Sequence, residues 1–176
     1  MPVTPLPVHA LFTLLRDSID KAGEALGATH ALVPLEPWLM DPEGIEDMTG
    51  TVTLTGRGHL VATAAGRQVP VLRASAYPLK GGSLSVGRTS KADLVIDQPT
   101  VSRIHAEILL RDDGYCVADR GSYNGTMLNN RVLDPNEVAP LNDGDVVVFG
   151  EAQTVFGSLP HLAALIRATR RSSKLG

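Results

Sequence analysis

The feature that most constrains the fold is a series of short apolar segments between residues 84 and 156, each broken by glycine, asparagine or aspartate. β-Branched residues are frequent in these segments, and no helical period of useful length interrupts them. Glycine tolerates positive φ, and Asn and Asp bond their own backbone, so these residues mark turns between strands. The pattern by itself predicts an all-β sandwich. The predicted strands are Leu84–Val86, Leu94–Ile96, Ala106–Leu110, Tyr115–Ala118, Met127–Leu128, Val146–Phe149 and Thr154–Phe156.

Three polar signatures lie at the breaks between these segments. They are Gly87-Arg88, Ser102-Arg103-Ile104-His105 and Asn124-Gly125-Thr126, with Asn129-Asn130 just beyond. In this order and spacing they resemble the forkhead-associated (FHA) domain family, whose consensus is G-R, S-R-x-H and N-G-T followed by N-G. The last glycine is replaced by Asn130, and asparagine is the next best residue for a left-handed position. The resemblance covers roughly residues 70 to 157, about half of the chain.

The resemblance implies an FHA-type β-sandwich that binds phosphothreonine peptides through loops at one end. A phosphothreonine is a dianion near neutral pH, so its site needs a permanent cation and neutral donors on a rigid platform. On the family pattern, Arg88 and Ser102 contact the phosphate, and Asn124 bonds the main chain of the peptide. Arg103 adds charge or contacts the peptide. Tyr123 stands where the family commonly has Ser, Thr, Lys or Arg, so its hydroxyl or ring would replace a charge contact.

Further residues are predicted to support the site without touching the ligand. His105 has no second His or Cys at ligand spacing and no Ser-His-Asp arrangement, so the resemblance makes it a structural brace of the phosphate loop. Gly87 and Gly125 supply backbone freedom, Thr126 begins the next strand, and Asn129 belongs to the turn that follows.

Two of the three signatures also have a purely structural interpretation. An isolated serine such as Ser102 most often caps a turn. Asn124-Gly125 is an ordinary hairpin turn as well as a peptide contact, and the two interpretations are compatible.

Composition excludes several function classes. The chain has 176 residues, 43% of them hydrophobic, and a net charge of −3, so we expect no general nucleic-acid or anionic-membrane surface.

The lone Cys116 lies in an apolar segment, which indicates a buried thiol in a reducing compartment. No signal peptide or membrane-length apolar run is present, which predicts a cytoplasmic protein. No Walker, metal-cluster or nucleophile motif occurs, so we expect no enzyme activity, catalytic residue, metal or cofactor.

The rest of the chain is predicted to form extensions. Residues 1–66 contain a proline-rich tail, one amphipathic helix of about five turns ending at Gly27, an acidic loop and a hairpin around residues 56–58. Residues 67–157 form the sandwich, and residues 158–176 form a C-terminal helix and tail, with Ser158 as its N-cap. The predicted N-terminal helix has its apolar face at Leu11, Leu15, Ile19, Ala22 and Leu26.

Two functions compete at this stage. The first is a phosphothreonine-binding adaptor in Ser/Thr-kinase signalling, whose partner is a phosphorylated kinase or kinase substrate. The second is a structural scaffold that assembles through its helical extensions regardless of phosphorylation. The threonines at positions 49, 51, 53 and 55 follow an acidic stretch and add a hypothesis of self-association through a phosphorylated N-terminal segment. The alternative is that these threonines alternate in a hairpin strand, where β-branched residues belong.

Overall fold

A computed structural model describes residues 6–34, 52–54, 60–64, 67–71, 75–80 and 82–165. Residues 1–5 of the predicted tail, the acidic stretch and all residues after 165 lie outside the described residues. The helices are α1 (Val8–Asp17) and α2 (Ile19–Leu26), and residues 159–165 are also helical. None of these described helices has the length and apolar character needed to span a membrane. The strands are β1 (Leu6–Pro7), β2 (His30–Pro34), β3 (Val52–Leu54), β4 (Leu60–Ala64), β5 (Arg67–Val71), β6 (Ser75–Leu79), β7 (Ser83–Gly87), β8 (Leu94–Val95), β9 (Ala106–Arg111), β10 (Gly114–Asp119), β11 (Thr126–Leu128), β12 (Arg131–Val132), β13 (Val138–Pro140), β14 (Val146–Phe149) and β15 (Ala152–Ser158).

Two sheets form the predicted sandwich. The larger has the strand order β1-β6-β2-β15-β14-β11-β12, and the smaller has the order β13-β10-β9-β7-β8. Neighbouring strands are antiparallel except β7 and β8, which are parallel. Alternate residues of both sheets bury one continuous core, in which Phe149, Val86 and Ile108 are fully buried. The mainly β fold is therefore confirmed.

A second core lies on the outer face of the larger sheet. The two N-terminal helices and helical residues 159–165 pack there against β2 and β15. These two strands are consequently buried on both faces. Leu32 and Phe156 face the first core, whereas Ala31, Val33 and Val155 face the helices. The helices thus form a third layer, because their apolar stripes need a surface to cover them.

The prediction of one five-turn N-terminal helix was wrong. The helix is interrupted at Ser18, whose backbone is extended at φ −162° and ψ 128°. The Oγ of Ser18 accepts a hydrogen bond from the amide of Lys21 at 3.4 Å, so the serine ends α1 and caps α2. The predicted apolar face persists across the break, and the predicted stop is confirmed by the left-handed Gly27 at φ 61°.

The segment between β2 and β6 carries a separate antiparallel sheet. β3 pairs with β4 as the predicted hairpin, and β4 also pairs with a third strand, β5. Two facts bear on the proposed division at residue 67. β2, assigned to the extension, lies inside the larger sheet between β6 and β15. β5, assigned to the sandwich, pairs with β4 and with no other described strand. The predicted C-terminal helix does follow Ser158, whose Oγ accepts from the amide of His161.

Candidate functional site

The three signatures meet at one end of the sandwich. The amide of Arg88 donates to the carbonyl of Ser102 at 3.0 Å. The amide of Tyr123 donates to the Oγ of the same serine, also at 3.0 Å. The side-chain amide of Asn124 donates to the carbonyl of Thr100 at 2.7 Å. Loops that are far apart in the sequence therefore form one hydrogen-bonded cluster.

Gly87 is required for the close approach of two backbones. A Cβ on Gly87 would lie 2.2 Å from the carbonyl oxygen of Arg103, a distance that real Cβ atoms do not adopt. Gly87 was expected to supply backbone freedom, but its φ is not positive. The absence of a side chain is what matters, because it lets β7 end directly against the loop that carries Ser102 and Arg103.

The cluster carries two exposed cations. Arg88 and Arg103 are both exposed, and neither forms an ion pair with a described residue. By contrast, Arg131 forms two hydrogen bonds to the carboxylate of Glu137, the shorter of 2.7 Å. Arg88 and Arg103 therefore add positive charge to the loops around Ser102 in a chain whose net charge is negative.

His105 joins two of the loops through its ring. The ring is fully buried, its Nδ1 accepts from the amide of Ser102 at 3.0 Å, and its Nε2 lies 3.0 Å from the carbonyl of Gly125. Since Nδ1 accepts, the proton is on Nε2 and is donated to that carbonyl. Burial lowers the pKa of His105, which favours the neutral ring that these contacts need. The ring also makes a T-shaped contact with Phe149. These contacts support the predicted bracing role, which stays a prediction.

The turn after β11 is set by two left-handed asparagines. Asn129 has φ 50° and Asn130 has φ 66°, and together they link β11 to β12 as a two-residue hairpin loop. The left-handed position predicted for Asn130 is thus confirmed. The side chain of Asn129 also accepts from the amide of Val146 at 2.9 Å and donates to Asp145 at 2.8 Å. The asparagine therefore connects this hairpin to β14.

Asp119 organises the Asn124 loop and was missed by the sequence analysis. Asp119 is only 3% exposed, and its carboxylate accepts from the amides of Gly121 and Ser122, at 2.8 and 2.9 Å. It also accepts from the hydroxyls of Ser122 at 2.6 Å and Thr126 at 2.7 Å. Burial raises the pKa of Asp119, but these hydrogen bonds outweigh burial and hold it below its usual range. The available signal was an aspartate at a strand end followed within three residues by glycine and serine, which is typical of an Asx turn.

Thr100 was the second residue missed. Its carbonyl receives the Asn124 amide, and its Oγ1 accepts from the amide of Glu151 at 3.1 Å. A Cβ on the neighbouring Gly150 would lie 2.4 Å from the same carbonyl oxygen. Thr100 therefore joins the Asn124 loop to the β14–β15 turn. No sequence pattern indicated this contact, because both partners are distant in the chain.

The chemistry of the site is that of an anion receptor. It offers guanidinium groups, a hydroxyl and a carboxamide, in loops that internal hydrogen bonds hold together. Across the described residues, no three His, Cys, Asp or Glu side chains are grouped so as to hold a metal.

Known proteins are similar in sequence to the half of the chain that contains these loops. The FHA domain profile matches residues 84–150. The glycogen accumulation regulator GarA of Mycobacterium tuberculosis is 39% identical over 82 residues, which are 47% of this chain and 49% of GarA, so the chain spans about half the length of that relative. The oxoglutarate dehydrogenase inhibitor of Corynebacterium diphtheriae is 32% identical over 113 residues, 61% of this chain and 77% of the inhibitor.

Solved structures are similar as well. One, described as a structural and functional analysis of phosphothreonine-dependent FHA domain interactions, is 30% identical, with a TM-score of 0.43, and covers 55% of this chain and 90% of that chain. The profile match spans all three signatures, and the match to the C. diphtheriae inhibitor extends over more than two thirds of that relative. The chain belongs to the FHA domain family.

Proposed function

We propose that this chain is an adaptor that binds a phosphothreonine-containing segment of a partner protein in Ser/Thr-kinase signalling. The observation that carries the proposal is the single cluster formed by Arg88, Ser102 and Asn124 at one end of the sandwich. The partner would be a Ser/Thr kinase or its substrate, bound in the cytoplasm.

The hydrogen-bond directions in the cluster suit a phosphate ligand. The Oγ of Ser102 accepts from Tyr123, so its own proton can be donated to a phosphate oxygen. Arg88 and Arg103 supply the permanent positive charge that a dianion needs. The carboxamide of Asn124 uses one N–H on Thr100 and retains a second N–H for the main chain of a peptide.

The relatives support a regulatory binding role. One solved structure comes from a study of phosphothreonine-dependent FHA domain interactions. Of the two sequence relatives, one is named a regulator of glycogen accumulation and the other an inhibitor of oxoglutarate dehydrogenase. By analogy, this chain would act by binding another protein and not by catalysis.

The scaffold alternative is less well supported. It requires apolar helix faces that are free to bind partners, but Leu11 and Leu15 of α1 and Leu26 of α2 are buried in the second core. The exposed cations of the loop cluster would serve no purpose in an assembly that ignores phosphorylation. The helices therefore complete the fold, and the loop cluster is the better candidate for partner binding.

Titration of a fluorescent phosphothreonine peptide library, with phosphoserine and unphosphorylated controls, tests the proposal. Replacing Arg88 by Ala removes a charge-assisted contact, so affinity should fall by about 2 kcal/mol, roughly 30-fold, with folding unchanged. Arg111→Ala is the matched control, because this exposed arginine lies at the end of β9 away from the site. Equal affinities of the wild type and the Arg88 variant would exclude the site assignment.

Selectivity for threonine over serine is part of the same proposal. Burial of the extra methyl group is worth only about 0.8 kcal/mol, a few-fold in affinity. Branching at Cβ also restricts χ1, which lowers the entropic cost of ordering the side chain. Matched phosphoserine and phosphothreonine peptides should therefore differ clearly in affinity, and indifferent binding would count against the FHA-type mode.

Self-association through a phosphorylated N-terminal segment is a separate proposal. Of the four threonines at 49, 51, 53 and 55, only Thr53 is described, and it lies in β3 opposite Val61. That position favours the strand interpretation for Thr53. A kinase-treated protein should lose affinity for external phosphopeptide if one of the four occupies the site, and unchanged affinity would eliminate the self-association.

A further inference from the structure

An apolar row crosses the outer face of the larger sheet beside the candidate site. It consists of Val132 on β12, Met127 on β11 and Val148 on β14, which are direct cross-strand partners. Such partners project from the same face of a sheet. Their chain neighbours Leu128 and Val147 face the opposite side and belong to the first core. The row therefore points away from the interior of the sandwich.

The helical layer does not extend over this row. In the described part of the chain, the second core draws on α1, α2, β2, β15 and residues 159–163, and it includes no residue of β11, β12 or β14. Val132 is 63% exposed, while Met127 and Val148 are half-buried. Among the described strands β12 is the edge of the larger sheet, so no further described strand lies beyond Val132.

The row begins directly at the candidate site. A Cβ built on Gly125 would lie 4.0 Å from Cγ1 of Val132, so the valine stands beside the glycine that follows Asn124. Neighbouring strands are about 4.8 Å apart, which makes the row about 10 Å long, the length of roughly three residues of extended peptide. A peptide bonded to Asn124 can therefore continue onto the row.

We propose that the row formed by Val132, Met127 and Val148 is a second contact surface for the phosphothreonine-containing partner, and that it accepts apolar side chains close to the phosphorylated residue. The proposal rests on the function proposed above and specifies the class of peptide. Apolar chemistry is favoured over acidic chemistry, because all three side chains of the row are apolar and the neighbouring Arg131, the cross-strand partner of Leu128, projects from the opposite face. Burying one apolar side chain on the row should raise affinity about five- to tenfold.

Peptides of different length test this surface. The set contains a short phosphothreonine peptide with two residues on each side, and longer peptides extended on either side by apolar residues or by serines. Binding is measured for the wild type and for Val132→Ser, with Leu110→Ser as a matched control, since Leu110 is a partly exposed apolar residue on the smaller sheet. Val132→Thr, which keeps the β-branched shape, is a second variant in case serine weakens the edge strand.

The short peptide should bind all four proteins equally. An apolar extension on one side should improve wild-type and Leu110→Ser affinity five- to tenfold, and Val132→Ser should lose most of this gain. An equal gain in wild type and Val132→Ser, or no gain from apolar extension on either side, would overturn the inference and leave the proposed function intact. Failure of even the short phosphopeptide to bind would refute the proposed function and this inference together.

Discussion

Removal of the Asp119 carboxylate is expected to destabilise the fold and weaken ligand binding together. In Asp119→Ala, four donors lose their acceptor: the amides of Gly121 and Ser122 and the hydroxyls of Ser122 and Thr126. The first three lie at or near the surface, where water can replace the carboxylate, but the Thr126 hydroxyl is fully buried. A buried unsatisfied group costs about 1–3 kcal/mol, and each lost charged hydrogen bond costs about 1.5–3 kcal/mol before rehydration. We expect a loss of about 3 kcal/mol in the free energy of unfolding.

Asp119→Asn separates the charge from the hydrogen bonds. The amide oxygen can still accept from the two backbone N–H groups, and the hydroxyls of Ser122 and Thr126 can rotate to accept from the amide nitrogen. The free energy of unfolding of this variant should fall by only about 1 kcal/mol, because the hydrogen bonds of the loop are kept and only the contribution of the negative charge is lost. Urea denaturation of both variants and phosphopeptide titration are the assays. A loss below 1 kcal/mol in Asp119→Ala, with unchanged phosphopeptide affinity, would refute the reasoning.

The pH dependence of stability gives an independent measurement on the same carboxylate. Hydrogen bonds hold the pKa of Asp119 in the folded protein below its ordinary value of 3.8. Because the pKa is lower in the folded protein, ionised Asp119 stabilises the fold at every pH above its pKa in the unfolded protein. This stabilisation is lost as the pH falls through the pKa of Asp119 in the folded protein. The wild type should therefore lose stability more steeply below about pH 4 than Asp119→Asn, which cannot titrate at this position. Parallel profiles for the two proteins would contradict the assignment.

Substitutions at Gly87, His105, Ser102 and Asn130 probe the geometry of the loops. Gly87→Ala should lower the melting temperature and abolish phosphopeptide binding, because its Cβ would collide with the Arg103 carbonyl; near-native binding would argue against the close approach. His105→Ala should reduce both thermal stability and phosphopeptide affinity, because the ring joins two loops. Ser102→Ala should reduce the affinity with little effect on stability. If both variants lose affinity equally and keep their stability, His105 contacts the ligand directly. Asn130→Ala should lower the free energy of unfolding, measured by urea denaturation, by about 1 kcal/mol, because alanine tolerates the left-handed φ of 66° less well than asparagine. Asn130→Gly should leave the free energy of unfolding unchanged.

The strands of the sandwich were largely predictable, because local patterns carry them. The apolar runs of β7, β9, β10, β14 and β15 are bounded by turn residues, and the structure places strands at each of them. β2 was not recognised. Its central residues are buried on both faces, so it shows none of the alternation that identifies a half-buried strand. The break at Ser18 was also missed, because the apolar period continues across it.

The candidate site was partly predictable for a similar reason. The three signatures, the left-handed turn at Asn130 and the Gly27 helix end were all visible in the chain, since each depends on local backbone conformation or on recognised residue order. Asp119 and Thr100 were not predicted as members of the site. Their importance comes from hydrogen bonds to backbone and side-chain groups that only the folded loops bring together.

The sequence alone determined the strand-rich core and the order of the polar signatures, because strand periodicity and turn residues act over a few positions. Only the tertiary structure decided that β2 lies between β6 and β15, that the helices cover one part of the larger sheet, and that Val132 remains exposed beside Gly125. Sheet order and surface coverage depend on contacts between residues far apart in the chain. Many arrangements satisfy the same local pattern, and the burial of apolar surface selects among them.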